Sequence, residues 1–330
     1  MTATMPRSTP DAPSDLAHDL EGSGGNADRS FRGLAYLAGG MVLVVLGLIT
    51  WTMLSRSTDA LRHMGLDFFT TKRWSPPDEI YGILSYIWGT VYTAVIALTI
   101  SVPISLGIAL FVTQVAPQWL KRTMIYVIDL LAVVPSVVFG LWGFLVFSRH
   151  LDGFYGWLSD TFDGWPILGT LFGPNPQTRT FLTAGIILAV MITPIVVSLS
   201  REVIETTPQH EKEAAFALGA TKWEMIRGSV IPHSKGGLVG AVMLGLGRAM
   251  GETVAVALTI GSATGQITLN ALASGNSMPA VITAEWGEAD TLKKSALIAM
   301  AMTLFVMTIL VNIAATTIVN RSMRRSRGAA

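Results

Sequence analysis

Cysteine is absent from this chain of 330 residues, which excludes disulfides and every metal site built on thiolate. Histidine does not replace it. The five residues His18, His63, His150, His210 and His233 form no spaced cluster, and no metal or other cofactor is expected. Charge is scarce as well: only 14% of residues are Asp, Glu, Lys or Arg, and the net charge is +1. The basic residues stand at the ends of apolar runs rather than in a stripe, so no nucleic-acid interface is expected. No GxxxxGK[ST] loop occurs, so the chain lacks the usual means of cradling nucleotide phosphates.

What the chain has in excess is apolar surface. A hydrophobic content of 51% and a mean hydropathy of +0.52 exclude a water-soluble globule and indicate an integral membrane protein. Apolar runs long enough to span a bilayer fall at about 34–54, 83–113, 123–147, 180–200, 236–262 and 295–319, predicting an all-α polytopic fold with six transmembrane helices. Residues 1–32 read as a disordered polar tail, 33–82 as the first span with its external connection, 83–320 as the main transmembrane domain with a cytoplasmic loop at 205–232, and 321–330 as a basic tail. Loops are expected at 148–179 and 263–294, the second apolar enough to dip partly into the membrane. Six spans put both ends on one side. The tails and the second and fourth connections carry most of the Lys and Arg, which predicts that both termini and the 201–235 loop are cytoplasmic. Pro103, Pro135 and Pro194 are candidate kinks, each freeing a backbone carbonyl.

The fifth span, GGLVGAVMLGLGRAMGETVAVALTIGS, holds the two charges that matter most, Arg248 and Glu252. A charge at mid-bilayer depth costs roughly 2.5–3.5 kcal/mol, and Arg248 lies about twelve residues, or roughly 18 Å, from the polar flank at Lys235. It lies too deep to snorkel and is expected to face protein or a wet cavity. At four residues' spacing Glu252 shares its helical face. Two readings stand: the pair neutralises itself inside the bundle, or Arg248 holds an oxyanion through its planar fork while Glu252 restrains the arginine and accepts a proton from the solute. Under the second reading a protonated oxyanion such as phosphate is favoured over sulfate. Gly236 with Gly240, Ala241 with Gly245, and Gly247 with Gly251 are small-residue pairs suited to close helix packing.

The 201–235 loop is the most highly charged stretch. Thr207 and Pro208 predict a helix start, Gly219 a left-handed stop, and Thr221 with Glu224 a capping box opening a second short helix that ends near Pro232. Small Ala214 and Ala215 would let a partner approach closely, with Phe216, Leu218 and Met225 as apolar anchors.

The run EKEAAFALGATKWEMIRGSVIP, 211–232, resembles the EAA loop of ABC-importer permeases, with Glu213, Ala214, Ala215, Gly219 and Pro232 matching the family's spacing; Ser229 and Ile231 depart from it. The resemblance implies a type I importer permease (MetI-like) fold. It also implies that the helical elbow docks on a cytoplasmic ATPase and transmits its closure to the spans. LGLGRAMGETVAV, 244–256, and VVPSVVFGLWGFLV, 133–146, look like the corresponding segments of phosphate-specific (Pst) permeases, a likeness covering roughly 80–320. The partners so implied are a homologous permease subunit (PstA-like), two cytoplasmic ATPase subunits (PstB-like) and an external phosphate-binding protein (PstS-like). Arg248 and Glu252 match charged residues tied to transport in that family. A permease for another solute, such as sulfate, an amino acid or a sugar, and a stand-alone secondary transporter are the alternatives; no enzyme chemistry is expected of the chain.

Overall fold

The computed structural model describes residues 24–174 and 176–327, with side chains described from 29 to 317 except 175. Two units are distinguished, residues 1–53 and 54–330. Helix α1, Gly24–Met64, runs through the first. Residues 1–23 of the expected tail lie outside the described residues, whereas 24–32 are helical, because a proline-free run with Ala27, Arg29 and Arg32 continues the apolar helix backward. In the first unit the apolar side chains stand open: Leu37 is 70% exposed and Trp51 69%.

The second unit is a helical bundle centred on one helix. Its principal helices are α2 (Leu84–Leu110), α3 (Gln118–Val133), α4 (Ser136–Trp142), α5 (Ser148–Phe162), α6 (Phe181–Glu205), α7 (Gln209–Ala217), α8 (Lys222–Met225), α9 (Ile231–Gly251), α10 (Val254–Thr259), α11 (Met278–Glu285) and α12 (Thr291–Arg327). The centre is α6, capped by the Thr180 hydroxyl on the Thr183 amide at 3.0 Å. Its buried Ile187, Leu188 and Ile192 pack among α2, α9 and α10. At the level of Pro103 and Pro194 the hydroxyls of Ser101 and Thr193 meet at 3.0 Å, a polar clip between two apolar helices.

Among the described residues, four helical stretches are long and apolar enough to cross a membrane: Arg29–Met64, Leu84–Val115, Phe181–Glu205 and Thr291–Thr317. The expected six are therefore not all present as straight spans. The third is a bent pair, Gln118–Val133 and Ser136–Phe162, at 89°. Pro135 causes the break: it lacks an N–H and holds the preceding Val134 extended, at φ −61° and ψ 126°. The expected loop 148–179 accordingly begins as helix α5. The fifth span is also interrupted, at Glu252 and Thr253. At the chain's end the helix continues to Arg327 instead of giving way to a tail at 321.

The 263–294 connection is irregular at first and tightly held. Its Ala271 and Ala273 carbonyls accept from the Leu182 and Phe181 amides at 2.8 and 3.1 Å, and Met278 N–H donates to the Thr90 hydroxyl at 3.0 Å. Gly275 lies against the Phe181 ring so closely that a Cβ would overlap it. These contacts put the start of α12 at the same end of the bundle as the start of α6, opposite the 205–232 loop. Trp74 is buried, at 7% exposure; its indole N–H donates to Glu285 at 3.0 Å, and Glu285 also pairs with Lys293 at 2.9 Å.

Candidate functional site

Helix α9 has two unlike faces. One carries Leu238, Ala241, Gly245 and Ala249, which are buried; a Cβ on Gly245 would lie 2.7 Å from a Val196 methyl of α6. The Ala241 and Gly245 pair thus serves close packing, whereas Gly240, Gly247 and Gly251 face open space. The other face, Gly237, Gly240, Leu244 and Arg248, is exposed along the helix. Arg248 occupies the last turn, on this open face.

Glu252 does not share that face. The helix stops at Gly251, and Glu252 is extended at φ −71° and ψ 128°, which corrects the expectation of a helical pair four residues apart. Its carboxylate instead accepts from the Ala255 amide at 3.4 Å, one of the amides that the first turn of α10 leaves without a helical acceptor. Gly251 and β-branched Thr253 weaken helix propensity at this point. No ion pair within 4 Å joins Arg248 to Glu252 among the described residues, so mutual neutralisation does not describe this conformation.

The helices that follow the breaks at Pro135 and Glu252 pack on each other: a Cβ on Gly140 of α4 would lie 2.8 Å from the Ala255 Cα of α10, and one on Gly143, just past α4, 3.0 Å from a Thr259 methyl carbon of α10. Segments 133–146 and 244–256, far apart in sequence, are one structural feature, two interrupted helices side by side with a guanidinium at the rim. Interrupted helices expose unpaired backbone groups, and within a membrane such groups are tolerated where they line a cavity or are buried in protein.

At the opposite end from the 263–294 connection lies the elbow. Helix α7 ends in a Schellman motif, with Gly219 N–H donating to the Phe216 carbonyl at 2.9 Å and Ala220 N–H to the Ala215 carbonyl at 3.1 Å, and Gly219 at φ +84°. The capping box is formed: Thr221 N–H reaches Glu224 Oε2 at 2.7 Å and Glu224 N–H reaches Thr221 Oγ1 at 3.4 Å. Two details differ from expectation. Thr207 does not cap α7; its hydroxyl pairs with that of Ser234 at 3.2 Å. Nor does Pro232 stop the second helix: a π-helical turn, Ile226–Val230, leads into α9, placing the ring in the first turn, where its missing N–H costs least.

The elbow's outer surface is apolar and uncovered. Leu218 is 90% exposed, Trp223 62% and Phe216 48%, while Met225, expected as a third anchor, is 3% exposed and packs on Ile204 and Val230. Between the two limbs lies a depression of about 580 Å³, lined by Ala214, Ala215, Ala220, Ser229 and Pro232 among others. Glu213, at the rim, is exposed and accepts from Gln209 at 3.1 Å. Trp223 escaped the sequence reading; its place beside a capping box on a charged loop is the signal that could have found it.

The Glu224 carboxyl is held below its ordinary value by hydrogen bonds from the Thr221 amide and hydroxyl. A depressed carboxyl contributes its stability fully above the unfolded pKa and loses it as pH falls through the folded one. Amide exchange at Glu224 and Met225 is thus expected to be pH-insensitive in excess of its intrinsic chemistry near neutrality and to accelerate only in acid. Thr221→Ala should loosen the same amides at neutral pH by about 1 kcal/mol. Opening of these amides between pH 6 and 8 in the unaltered chain would contradict this.

Interrupted helices beside a guanidinium, together with an exposed apolar elbow at the far end of an apolar helical bundle, are features of a membrane permease component. Residues 101–325 match the family described as binding-protein-dependent transport system inner membrane component. Among curated relatives, the phosphate transport system permease protein PstC of Xylella fastidiosa is 39% identical over 300 residues, covering 91% of this chain and 92% of its own length. That of Haemophilus influenzae is 39% identical over 292 residues, covering 87% and 91%. PstC 2 of Mycobacterium tuberculosis is 39% identical over 297 residues, covering 87% and 90%. The chain belongs to the binding-protein-dependent transport permeases and, within them, to the PstC family of phosphate transport system permeases. Solved structures show the same fold: a bacterial alginate ABC transporter aligns with TM-score 0.56 at 16% identity over 92% of this chain and 97% of its own. The inward-facing methionine transporter MetNI aligns with TM-score 0.53 at 16% identity over 76% and 99%.

Proposed function

We propose that this chain moves inorganic phosphate across the cytoplasmic membrane as one of two permease subunits of an ATP-driven importer, by alternating access. The observation that carries the reading is the position of Arg248, on an open helix face one turn before the break at Glu252, with no carboxylate within 4 Å among the described residues. A homologous permease subunit (PstA-like) would cover that face and enclose the cavity. An external binding protein (PstS-like) would deliver the anion to Arg248, whose planar fork donates paired hydrogen bonds to an oxyanion. Two ATPase subunits (PstB-like) would dock on the elbow through Leu218, Phe216 and Trp223, with Glu213, Ala214, Ala215, Gly219 and Pro232 fixing its shape. The excess of basic residues on the elbow side supports cytoplasmic termini. Residues 83–320 form the transporting domain in this reading, with 33–82 as an added anchor. Affinity at Arg248 is weak by necessity, since a deep well would retard release.

In this reading Glu252, at the break, would accept a hydrogen bond from the proton that phosphate carries and sulfate lacks. Glu252→Gln is expected to admit sulfate as a competitor of phosphate uptake, with phosphate transport itself reduced several-fold. Unchanged exclusion of sulfate would remove this role from Glu252. The reading as a whole is tested by hydrolysis in the purified assembly: phosphate-loaded binding protein should stimulate ATP turnover, and equal stimulation by an unrelated anion or sugar would point to another solute.

A further inference from the structure

We infer that a pocket at the junction of the last turns of α1 with the start of α12 binds a phosphate group, either of an anionic phospholipid or free in solution. The cavity measures about 390 Å³ and is lined by Arg56, Asp59, Trp286, Lys294, Ser295 and Ile298, among others. That volume lies in the range of small-ligand sites. Its walls are held together from within. Ser295 is buried, donates to the Arg56 carbonyl at 2.8 Å and accepts from the Ala60 amide at 3.0 Å, which fastens the backbone bearing Arg56 to the helix bearing Lys294.

Two cations, Arg56 and Lys294, line this pocket together. Nearby, Lys293 pairs with Glu285 at 2.9 Å and Arg73 with Asp78. Arg56 and Lys294 have no carboxylate within 4 Å among the described residues, and Asp59 also stays unpaired at that distance. Two cations and one carboxylate leave the lining at +1, which matches the single charge of a phosphodiester. An apolar wall adjoins the charges: Trp286 is 45% exposed, and Ile298 stands one turn deeper on α12. A tryptophan ring beside cations at the end of a membrane helix suits the headgroup layer. The pocket is at the end of the bundle opposite the elbow, and the residues given for its lining include none of α9 and none of the elbow.

The test uses the full chain purified in mild detergent, with phospholipid counted per chain after extraction. Arg56→Gln with Lys294→Gln is expected to lower retained phosphatidylglycerol about tenfold relative to phosphatidylcholine, and Arg56→Lys with Lys294→Arg to preserve it. Asp59→Asn should raise retention, a gain that a misfolded protein cannot give. In a second arm the delipidated chain is dialysed against radiolabelled inorganic phosphate. Loss of that binding in the Gln pair, with lipid retention unmoved, assigns the site to free phosphate. Lipid retention and phosphate binding that both ignore the Gln pair, or an Asp59→Asn chain that gains neither, overturn the inference, whatever uptake measurements say of Arg248.

Discussion

Arg248→Gln is expected to lower phosphate uptake by about ten- to a hundredfold while leaving the protein's folding and membrane insertion unchanged. The magnitude follows from the removal of charge-assisted hydrogen bonds, worth about 1.5–3 kcal/mol each where a charge is involved. Folding is spared because Arg248 makes no ion pair among the described residues and lies on the exposed face of α9, whereas Ala241, Gly245 and Ala249 carry the packing on the other. Arg248→Lys keeps the charge and loses the fork, so it should fall between the two. Uptake of radiolabelled phosphate by cells whose own uptake systems are deleted, normalised to membrane content, measures all three. Equal loss for Lys and Gln would indicate that planar recognition, rather than charge alone, is required. Equal transport by all three would mean that the anion passes elsewhere.

Leu218→Asp is expected to abolish association with the ATPase subunit. At 90% exposure this leucine has no packing role within the chain, and it sits at the tip of a rigid turn fixed by the left-handed Gly219. Truncating a central apolar anchor typically costs 2 kcal/mol or more, about thirtyfold in affinity, and placing a carboxylate in a desolvated interface costs further. Pull-down of an ATPase subunit from detergent-solubilised membranes provides the readout, with amide exchange of α7 and α8 as a check on the elbow itself. Met225→Asp would behave differently: that residue is core, so the variant should lose folded protein before it loses partner affinity.

The sequence was most legible where one residue type has one physical use. Gly219 and the Thr221 and Glu224 pair specified the bent elbow to within a residue, because a left-handed cap and a capping box are local chemistry. The apolar runs likewise identified α2, α6 and α12. Hydropathy could not show that two of the six runs are interrupted. At Pro135 the signal was present but ambiguous, since Pro103 and Pro194 sit inside continuous helices and only the structure distinguishes them. At Glu252 the determinant is tertiary. The segment beyond it docks on α4 through Gly140 and Ala255, residues separated by more than a hundred positions, and its carboxylate turns to an amide of α10. The same fold-level cause explains Met225, whose burial against α6 is invisible to a loop-level reading.

The most direct measurement couples uptake and hydrolysis in one vessel: proteoliposomes holding the complete assembly, supplied with phosphate-loaded binding protein, with and without internal ATP, for the unaltered chain and for Arg248→Gln. The account predicts nucleotide-dependent phosphate entry in the first case. In the second, the ATPases should continue to turn over with little phosphate moved, because the elbow is intact and the guanidinium is gone. Phosphate entry at the unaltered rate through the glutamine variant, or entry without nucleotide in either, would contradict it.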